Sequence, residues 1–283
     1  LMDAETGRVL YAHNEQEPRA IASTTKLMTA LVAAEYLGGD LSETVEIKRE
    51  WTGIEGTSLY LKPGETITLK TLLYGLLLHS GNDAAVAMAE HLAGSEAAFV
   101  ERMNQRAQEL GMEDTNFVNC TGLPASGHVT TAYDIALMSR KLILNHPGIR
   151  EYTTIWMDSI RDGAFGLTNT NRLIRFYQGA TGLKTGSTDS ALYCMSATAE
   201  RDGMELIAVV MAAPTAADRF EDAKAMLDYG FGAYTLMQMY PESPLAPIPV
   251  LLGTVGQIQP ELERECRVLV RKGEEGSVTT KLT

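Results

Sequence analysis

Ser23-Thr24-Thr25-Lys26 places a hydroxyl and an amine three residues apart. On a helix that spacing brings both to one face. A serine hydroxyl is a weak nucleophile until a base removes its proton. A lysine amine serves as that base only when neutral, so it needs apolar surroundings or neighbouring cations that weaken its hold on the proton. At a helix start the positive end of the dipole also favours negative charge developing on the serine. The pair is a candidate for covalent acyl transfer, with Ser23 as nucleophile and Lys26 as base.

Two further clusters fit the same chemistry. Ser80-Gly81-Asn82 interrupts a leucine-rich helical run. Its hydroxyl suits a proton relay beside Ser23 and Lys26, and Asn82 can hydrogen-bond the lysine or a substrate amide. Lys184-Thr185-Gly186 precedes a β-rich stretch. There Lys184 and Thr185 can hold a carboxylate through charge-assisted bonds, and Gly186 lets another backbone approach an edge strand. Alone, each cluster reads as a solvated helix start, a capped turn or a surface turn. Each occurs once, in this order. That conjunction predicts one cleft rather than three unrelated surface features.

The positioning elements follow from periodicity and turn residues. Leu1–Asn14 reads as a hairpin around Glu5-Thr6-Gly7. A helix is expected from about Thr24 to Leu37, ended by Gly38-Gly39, and short strands and turns over 41–68. Helices are expected at Leu69–Leu78, Asp83–Leu92, Ser95–Leu110 and Ala132–Leu144, and the stretch 151–183 is mixed. Ala191–Ala199 and Leu206–Ala213 read as strands of a hairpin turned at Arg201-Asp202-Gly203, with the lysine cluster at its head. A last helix covers about Asp218–Tyr229. Strands at both ends around a long helical insertion predict an α+β domain with an antiparallel sheet flanked by helices. Pro241, Pro244, Pro247 and Pro249 mark a linker. Division at residue 240 is therefore expected, with 1–240 a catalytic domain and 241–283 the incomplete start of a small β-rich domain.

The sequence resembles the low-molecular-mass penicillin-binding proteins that act as D-Ala-D-Ala carboxypeptidases. S-x-x-K, S-D-N and K-T-G are the signature of the wider penicillin-recognising group, and here the middle motif reads Ser80-Gly81-Asn82. The likeness extends over Asp3–Tyr11, Ile21–Thr29, His79–Asp83, Thr181–Thr188 and Arg219–Phe231, and covers about residues 1–235. It implies a β-lactamase/transpeptidase-like fold, peptidoglycan stem peptides ending in D-Ala-D-Ala as substrates, acylation by β-lactams, and no cofactor. By the same resemblance Ser23 forms the acyl-enzyme, Lys26 takes its proton, and Ser80 relays a proton to the leaving D-Ala. Asn82 positions the substrate amide, while Lys184 and Thr185 bind the terminal carboxylate with support from Arg219. The backbone N–H groups of Ser23 and Ser187 form the oxyanion hole. Ser187 stands where relatives often carry a bulkier residue. The resemblance also places the protein outside the cytoplasm, in a bacterial cell envelope, with membrane attachment only through an anchor not visible in this chain.

Composition narrows the alternatives. A net charge of −12 disfavours nucleic acid as a partner. No window approaches the roughly 20 consecutive apolar residues that span a bilayer. Neither an initiator Met nor a basic leader opens the chain, so a trimmed chain without a signal peptide is expected. The three cysteines, Cys120, Cys194 and Cys266, lack metal-ligand spacing and read as idle thiols, and no metal site is expected. Among the five histidines only His79 adjoins a candidate site, where a structural role is expected. Three rival readings stand: a β-lactamase on the same fold, a DD-endopeptidase, and a catalytically silent binding protein. The first expects a Glu-x-x-Leu-Asn loop, which is absent between Asn82 and Lys184. The last expects loss of Ser23 or Lys26, and both are present.

Overall fold

The computed structural model describes residues 1–38, 40–239, 245–251, 253–261 and 266–279. Of the expected features, Gly39, Pro241, Pro244, the end of the chain beyond residue 279 and the side chain of Cys266 lie outside the described residues.

Strand β1 (Met2–Asp3) opens the chain, followed by β2 (Arg19–Ala20) and a 3-10 turn, Ala22–Thr25, that runs directly into helix α1 (Lys26–Leu37). The expected first hairpin is reduced to the β1 segment and one bridge, Met2 to Val9. The Asp3 carboxylate closes its turn by accepting from the Thr6 N–H and hydroxyl. Strands β3 (Thr44–Glu46) and β4 (Thr66–Thr68) pair with each other. Helix α2 (Leu69–Tyr74) does not continue to Leu78 as the leucine spacing predicts; Gly75–His79 widens into a π-helical turn instead. Gly75 permits this packing, because a side chain there would collide with Leu59. The widened turn delivers Ser80 in the left-handed conformation, φ 69°, at the joint with helix α3 (Asn82–Ala93). Helix α4 (Glu96–Glu109), strand β5 (Val129–Thr130) and helix α5 (Ala132–Asn145) complete the helical insertion. Three of these helices carry side-chain N-caps, at Thr68, Ser95 and Thr131.

The mixed stretch resolves into a one-turn helix α6 (Arg150–Thr153), a hairpin of β6 (Met157–Ile160) and β7 (Phe165–Thr168), and a one-turn helix α7 (Leu173–Phe176). Three long strands follow: β8 (Ala180–Thr188), β9 (Leu192–Arg201) and β10 (Met204–Ala213). Lys184-Thr185-Gly186 thus lies inside a strand rather than at the head of a hairpin. The four-stranded antiparallel sheet has the order β1-β10-β9-β8, so β8 is an edge strand. Helix α8 (Ala216–Ala233) runs longer at both ends than predicted. Its continuation β11 (Tyr234–Met239) pairs with β14 (Cys266–Arg271), while the short β12 (Ile248–Pro249) and β13 (Gln257–Ile258) pair with each other.

Alternation along the strands sends side chains to two cores. Ile207 faces the helical insertion with α1, α3 and α4, whereas Leu206 and Ala208 face Phe220, Ala223 and Leu227 of α8. Helix α1 is the axis of the first core. Residues 26–33 are all buried, so the helix is enclosed on every side rather than amphipathic. Lys26 is among them, which is possible only where its amine finds acceptors inside the fold. Leu31, fully buried in this helix, offers a direct test of the architecture. Leu31→Ala is expected to destabilise the protein by about 3 kcal/mol through lost burial and a residual cavity, read as a lowered denaturation midpoint with an unchanged slope.

Candidate active site

The Ser23-to-Lys26 segment is split between two kinds of helix. Ser23 lies in the 3-10 turn, and Lys26 is the first residue of α1. Lys26 Nζ donates to Ser23 Oγ at 3.1 Å, to Asn82 Oδ1 at 2.6 Å and to the Thr121 carbonyl at 2.6 Å. Those bonds use the ammonium's donors, and the Ser80 hydroxyl is not among the partners. The side chain of Lys26 is wholly buried, and desolvation lowers its pKa to about 7, against smaller opposing attractions from Cys120 and Asp83. Lysine's ordinary value is 10.5, so burial brings the neutral amine within reach of neutral pH.

Asn82 is fixed from both sides. Its Nδ2 donates to the Glu55 carbonyl at 2.6 Å, and its own N–H bonds the Thr57 carbonyl at 2.7 Å. The adjacent Asp83, which sequence reasoning treated only as part of a family segment, anchors the same loop. Its carboxylate accepts from the Ser58 hydroxyl and from the N–H groups of Leu59, Leu61 and Ala84. Ser80 is buried beside this joint. The ring of His79 packs edge-on against Phe165 and makes no bond to the candidate groups, in keeping with a structural role.

Edge strand β8 brings the third cluster onto the Ser23 turn. A Cβ on Gly186 would lie 2.7 Å from the Ser23 nitrogen and 2.9 Å from that of Thr24. Only glycine permits this approach. Lys184 is wholly buried, and its Nζ donates to the Thr185 carbonyl at 2.9 Å. Its pKa falls well below the ordinary value through desolvation first, then repulsion from Lys26 and Arg219. Thr185 is buried and donates to the Thr170 hydroxyl at 2.7 Å. Arg219 is buried as well, rather than a solvated charge on α8. Its Nη1 reaches the carbonyls of Gly186 at 3.3 Å and Cys194 at 3.4 Å, and its buried Nε has no partner. Ser187, next in β8, is exposed.

The structure thus draws Ser23, Lys26 and Asn82 into direct contact and sets Gly186 against the same turn. Lys184 is close enough for its charge to act on Lys26, with Arg219 behind it. Two contributors escaped sequence reasoning. Thr121 acts through a backbone carbonyl, which side-chain identity does not reveal. Gly122, at φ 89°, lies so close to the Ala22 carbonyl that any side chain would collide with it, and a positive-φ glycine after a polar loop was its one available signal. Cavity size is no guide to the chemistry here. A cavity of about 740 Å³ opens around Leu1, Tyr11, Tyr133 and Tyr229, away from these groups, whereas one of about 380 Å³ borders Ala22, Gly122 and Thr188. Among the described residues no cluster of potential metal ligands occurs, and no helix is long and apolar enough to cross a membrane. Cys120 and Cys194 are buried free thiols.

Comparison with known proteins bears directly on this arrangement. Residues 1–215 match the family model described as D-alanyl-D-alanine carboxypeptidase. The chain is 40% identical over 282 residues to D-alanyl-D-alanine carboxypeptidase DacF of Bacillus subtilis, covering 97% of this chain and 72% of that one. Its fold superposes with a TM-score of 0.85 on penicillin binding protein 6B of Escherichia coli, at 31% identity over 97% of this chain and 84% of that one. Penicillin-Binding Protein D2 of Listeria monocytogenes, solved in a cefotaxime-bound form, superposes at 0.74 with 37% identity, covering 81% and 94% of the two chains.

One buried group beside the Ser23 turn should register in stability. His128 accepts the Val118 N–H on Nδ1 at 2.8 Å and bonds the Thr25 hydroxyl through Nε2 at 2.8 Å. Burial lowers its pKa from 6.5 to about 4. The unfolded chain therefore takes up a proton first as pH falls. The stabilisation is complete above about pH 6.5 and is expected to be lost progressively down to about pH 4. Denaturation curves at successive pH values should show that slope, and His128→Asn, which keeps an acceptor near Val118, should flatten it.

Proposed function

The chain belongs to the D-alanyl-D-alanine carboxypeptidase family, and on that premise we propose that Ser23 and Lys26 carry out its acyl transfer on peptidoglycan stem pentapeptides. It is a serine-type D-Ala-D-Ala carboxypeptidase of the penicillin-binding protein fold. The observation that carries the residue assignment is the bond donated to Ser23 Oγ by a wholly buried Lys26 amine that desolvation brings to a pKa of about 7.

In the proposed reaction, neutral Lys26 takes the proton of Ser23 Oγ as that oxygen attacks the carbonyl carbon of the penultimate D-Ala. The oxyanion lies on the N–H groups of Ser23 and Ser187, an arrangement supported by the close approach of Gly186 to the Ser23 turn. Lys184 and Thr185 hold the terminal carboxylate, with Arg219 adding positive charge behind them. Asn82 serves twice: its Oδ1 orients Lys26, and the Nδ2–H not given to the Glu55 carbonyl positions the substrate amide. Collapse of the tetrahedral intermediate breaks the peptide bond, and Ser80 passes a proton to the departing D-Ala amine. Water then hydrolyses the ester on Ser23. A β-lactam follows the same first step, but its leaving nitrogen stays tethered to the acyl group, which favours a long-lived adduct. The substrate places the site of action in the bacterial cell envelope. We assign the catalytic unit to residues 1–240 and read 241–283 as belonging to a β-rich module, tied to the end of α8 through the β11–β14 pair.

Mass spectrometry after incubation with a D-Ala-D-Ala-ended pentapeptide should show loss of one alanine. Release of nothing, with the peptide intact, would return the catalytically silent reading to favour. Ser23→Ala should abolish both turnover and labelling by a fluorescent penicillin while leaving the melting temperature within a few degrees, because one hydroxyl seldom decides folding. The wild-type acylation rate should rise with pH through about 7. Lys26→Arg should acylate at least about 100-fold more slowly at neutral pH, since arginine keeps its proton there. Substantial labelling of the Arg variant would move the base elsewhere.

A further inference from the structure

We propose that Asn119 is a positioning residue for the acyl transfer: its side chain folds residues 119–123 into a clamp that presents the Thr121 carbonyl to Lys26 and so tunes that amine's hold on its proton. The inference rests on Lys26 being the base.

The clamp is built almost wholly by one side chain. Asn119 Oδ1 accepts from the Thr121 N–H at 3.2 Å, the Thr121 hydroxyl at 3.1 Å and the Gly122 N–H at 2.7 Å. Asn119 Nδ2 donates to the Leu123 carbonyl at 2.9 Å. With its N–H groups turned in toward Oδ1, the loop is left with the Thr121 carbonyl facing Lys26 Nζ at 2.6 Å. The next residue, Gly122, presses on the Ala22 carbonyl and the Ser23 nitrogen. One side chain therefore governs both the lysine's acceptor and the wall behind the serine. The loop is also held from outside. The Cys120 N–H donates to Glu96 of α4, and the Cys120 carbonyl accepts from Thr29 of α1.

A carbonyl oxygen accepts from the ammonium form of lysine and favours it. The Thr121 carbonyl thus opposes desolvation and sets how far the pKa falls. The other groups that bear on Lys26 are Asp83 on α3 and Cys120 in the clamp. Across the site stands Lys184 on β8, with Arg219 of α8 acting on it. Glu96 lies behind Cys120, His128 reaches the same turn through Thr25, and His79 feels Lys184. Of these only Cys120 belongs to the clamp itself, and its backbone is held from outside by Glu96 and Thr29.

Two variants separate positioning from bulk structure. Asn119→Ala releases the clamp, so Lys26 loses a well-placed acceptor. Its acylation limb should move to lower pH, and the plateau rate should fall about tenfold or more because the amine is no longer aimed at Ser23. Asn119→Asp keeps the acceptor for Thr121 and Gly122, gives up the donor to the Leu123 carbonyl, and adds a negative charge near Lys26. Its limb should move up by about one pH unit, with the high-pH plateau within about threefold of wild type. The measurement is the fluorescent-penicillin acylation rate from pH 5 to 10 for wild type and both variants, with melting curves to confirm folding. Limbs that coincide with wild type, or that move in the same direction, overturn the proposal, as does a collapsed plateau in a folded Asp variant. Should the Ala variant not fold, the Asp limb and plateau decide alone. Failure of the base assignment itself reads differently: Lys26→Met would then keep the wild-type limb, whatever Asn119 does.

Discussion

A wholly buried lysine amine must satisfy its donors inside the fold or give up its proton. For Lys26 the acceptors are a serine hydroxyl, an asparagine amide oxygen and a backbone carbonyl. All three are neutral dipoles. A carboxylate in any of those positions would fix the ammonium form and remove the base. Asp83, whose charge acts on Lys26, is instead occupied by Ser58, Leu59, Leu61 and Ala84. Much of the architecture serves this arrangement. Helix α1 lies at the centre of the first core so that its first residue is dry. Helix α3 begins at the residue that caps the amine, and the π-helical turn before it sets the angle of entry.

Opposite this amine the fold concentrates positive charge. Lys184 and Arg219 are both buried, and backbone carbonyls, not carboxylates, receive their recorded bonds. Carbonyl dipoles offset part of the desolvation cost but neutralise no charge. The field is therefore directed to whatever anion enters between β8 and the Ser23 turn. On the proposed assignment a substrate carboxylate would relieve the mutual repulsion of these cations as it binds. That would couple recognition to the proton affinity of Lys26, because an anion on Lys184 also changes the potential at the amine beside it.

Side-chain chemistry was legible in the sequence, whereas backbone chemistry was not. Ser23, Lys26 and Asn82 declared themselves by type and spacing, and their contacts in the fold follow from α1 and α3 starting within about two residues of where periodicity predicts. The antiparallel sheet was visible in the β-rich runs around Arg201-Asp202-Gly203, although β8 was underestimated because Gly182 and Gly186 dilute its strand pattern. The break in the leucine run at Gly75 was read as continuous helix, since a π-helical turn keeps the same apolar residues buried and leaves no mark in periodicity. Thr121 gave no signal at all. A carbonyl is common to every residue, and only the loop that Asn119 folds makes this one matter. Arg219 could be placed only by family likeness, because nothing in a helix-borne arginine foretells burial.

Strand β1 pairs with β10, and the Ser23 turn rests on β8, so both early segments are completed only by strands that come late in the chain. A chain emerging from the ribosome can form α1 through α5 early, yet its serine has neither an oxyanion pocket nor a cationic wall until β8 to β10 have been made and docked. Such non-local closure is a late and slow event in folding. On the proposed assignment, covalent capture by a penicillin would report the finished topology, blind to collapsed or half-assembled chains that already possess the Ser23 turn and the helices behind it.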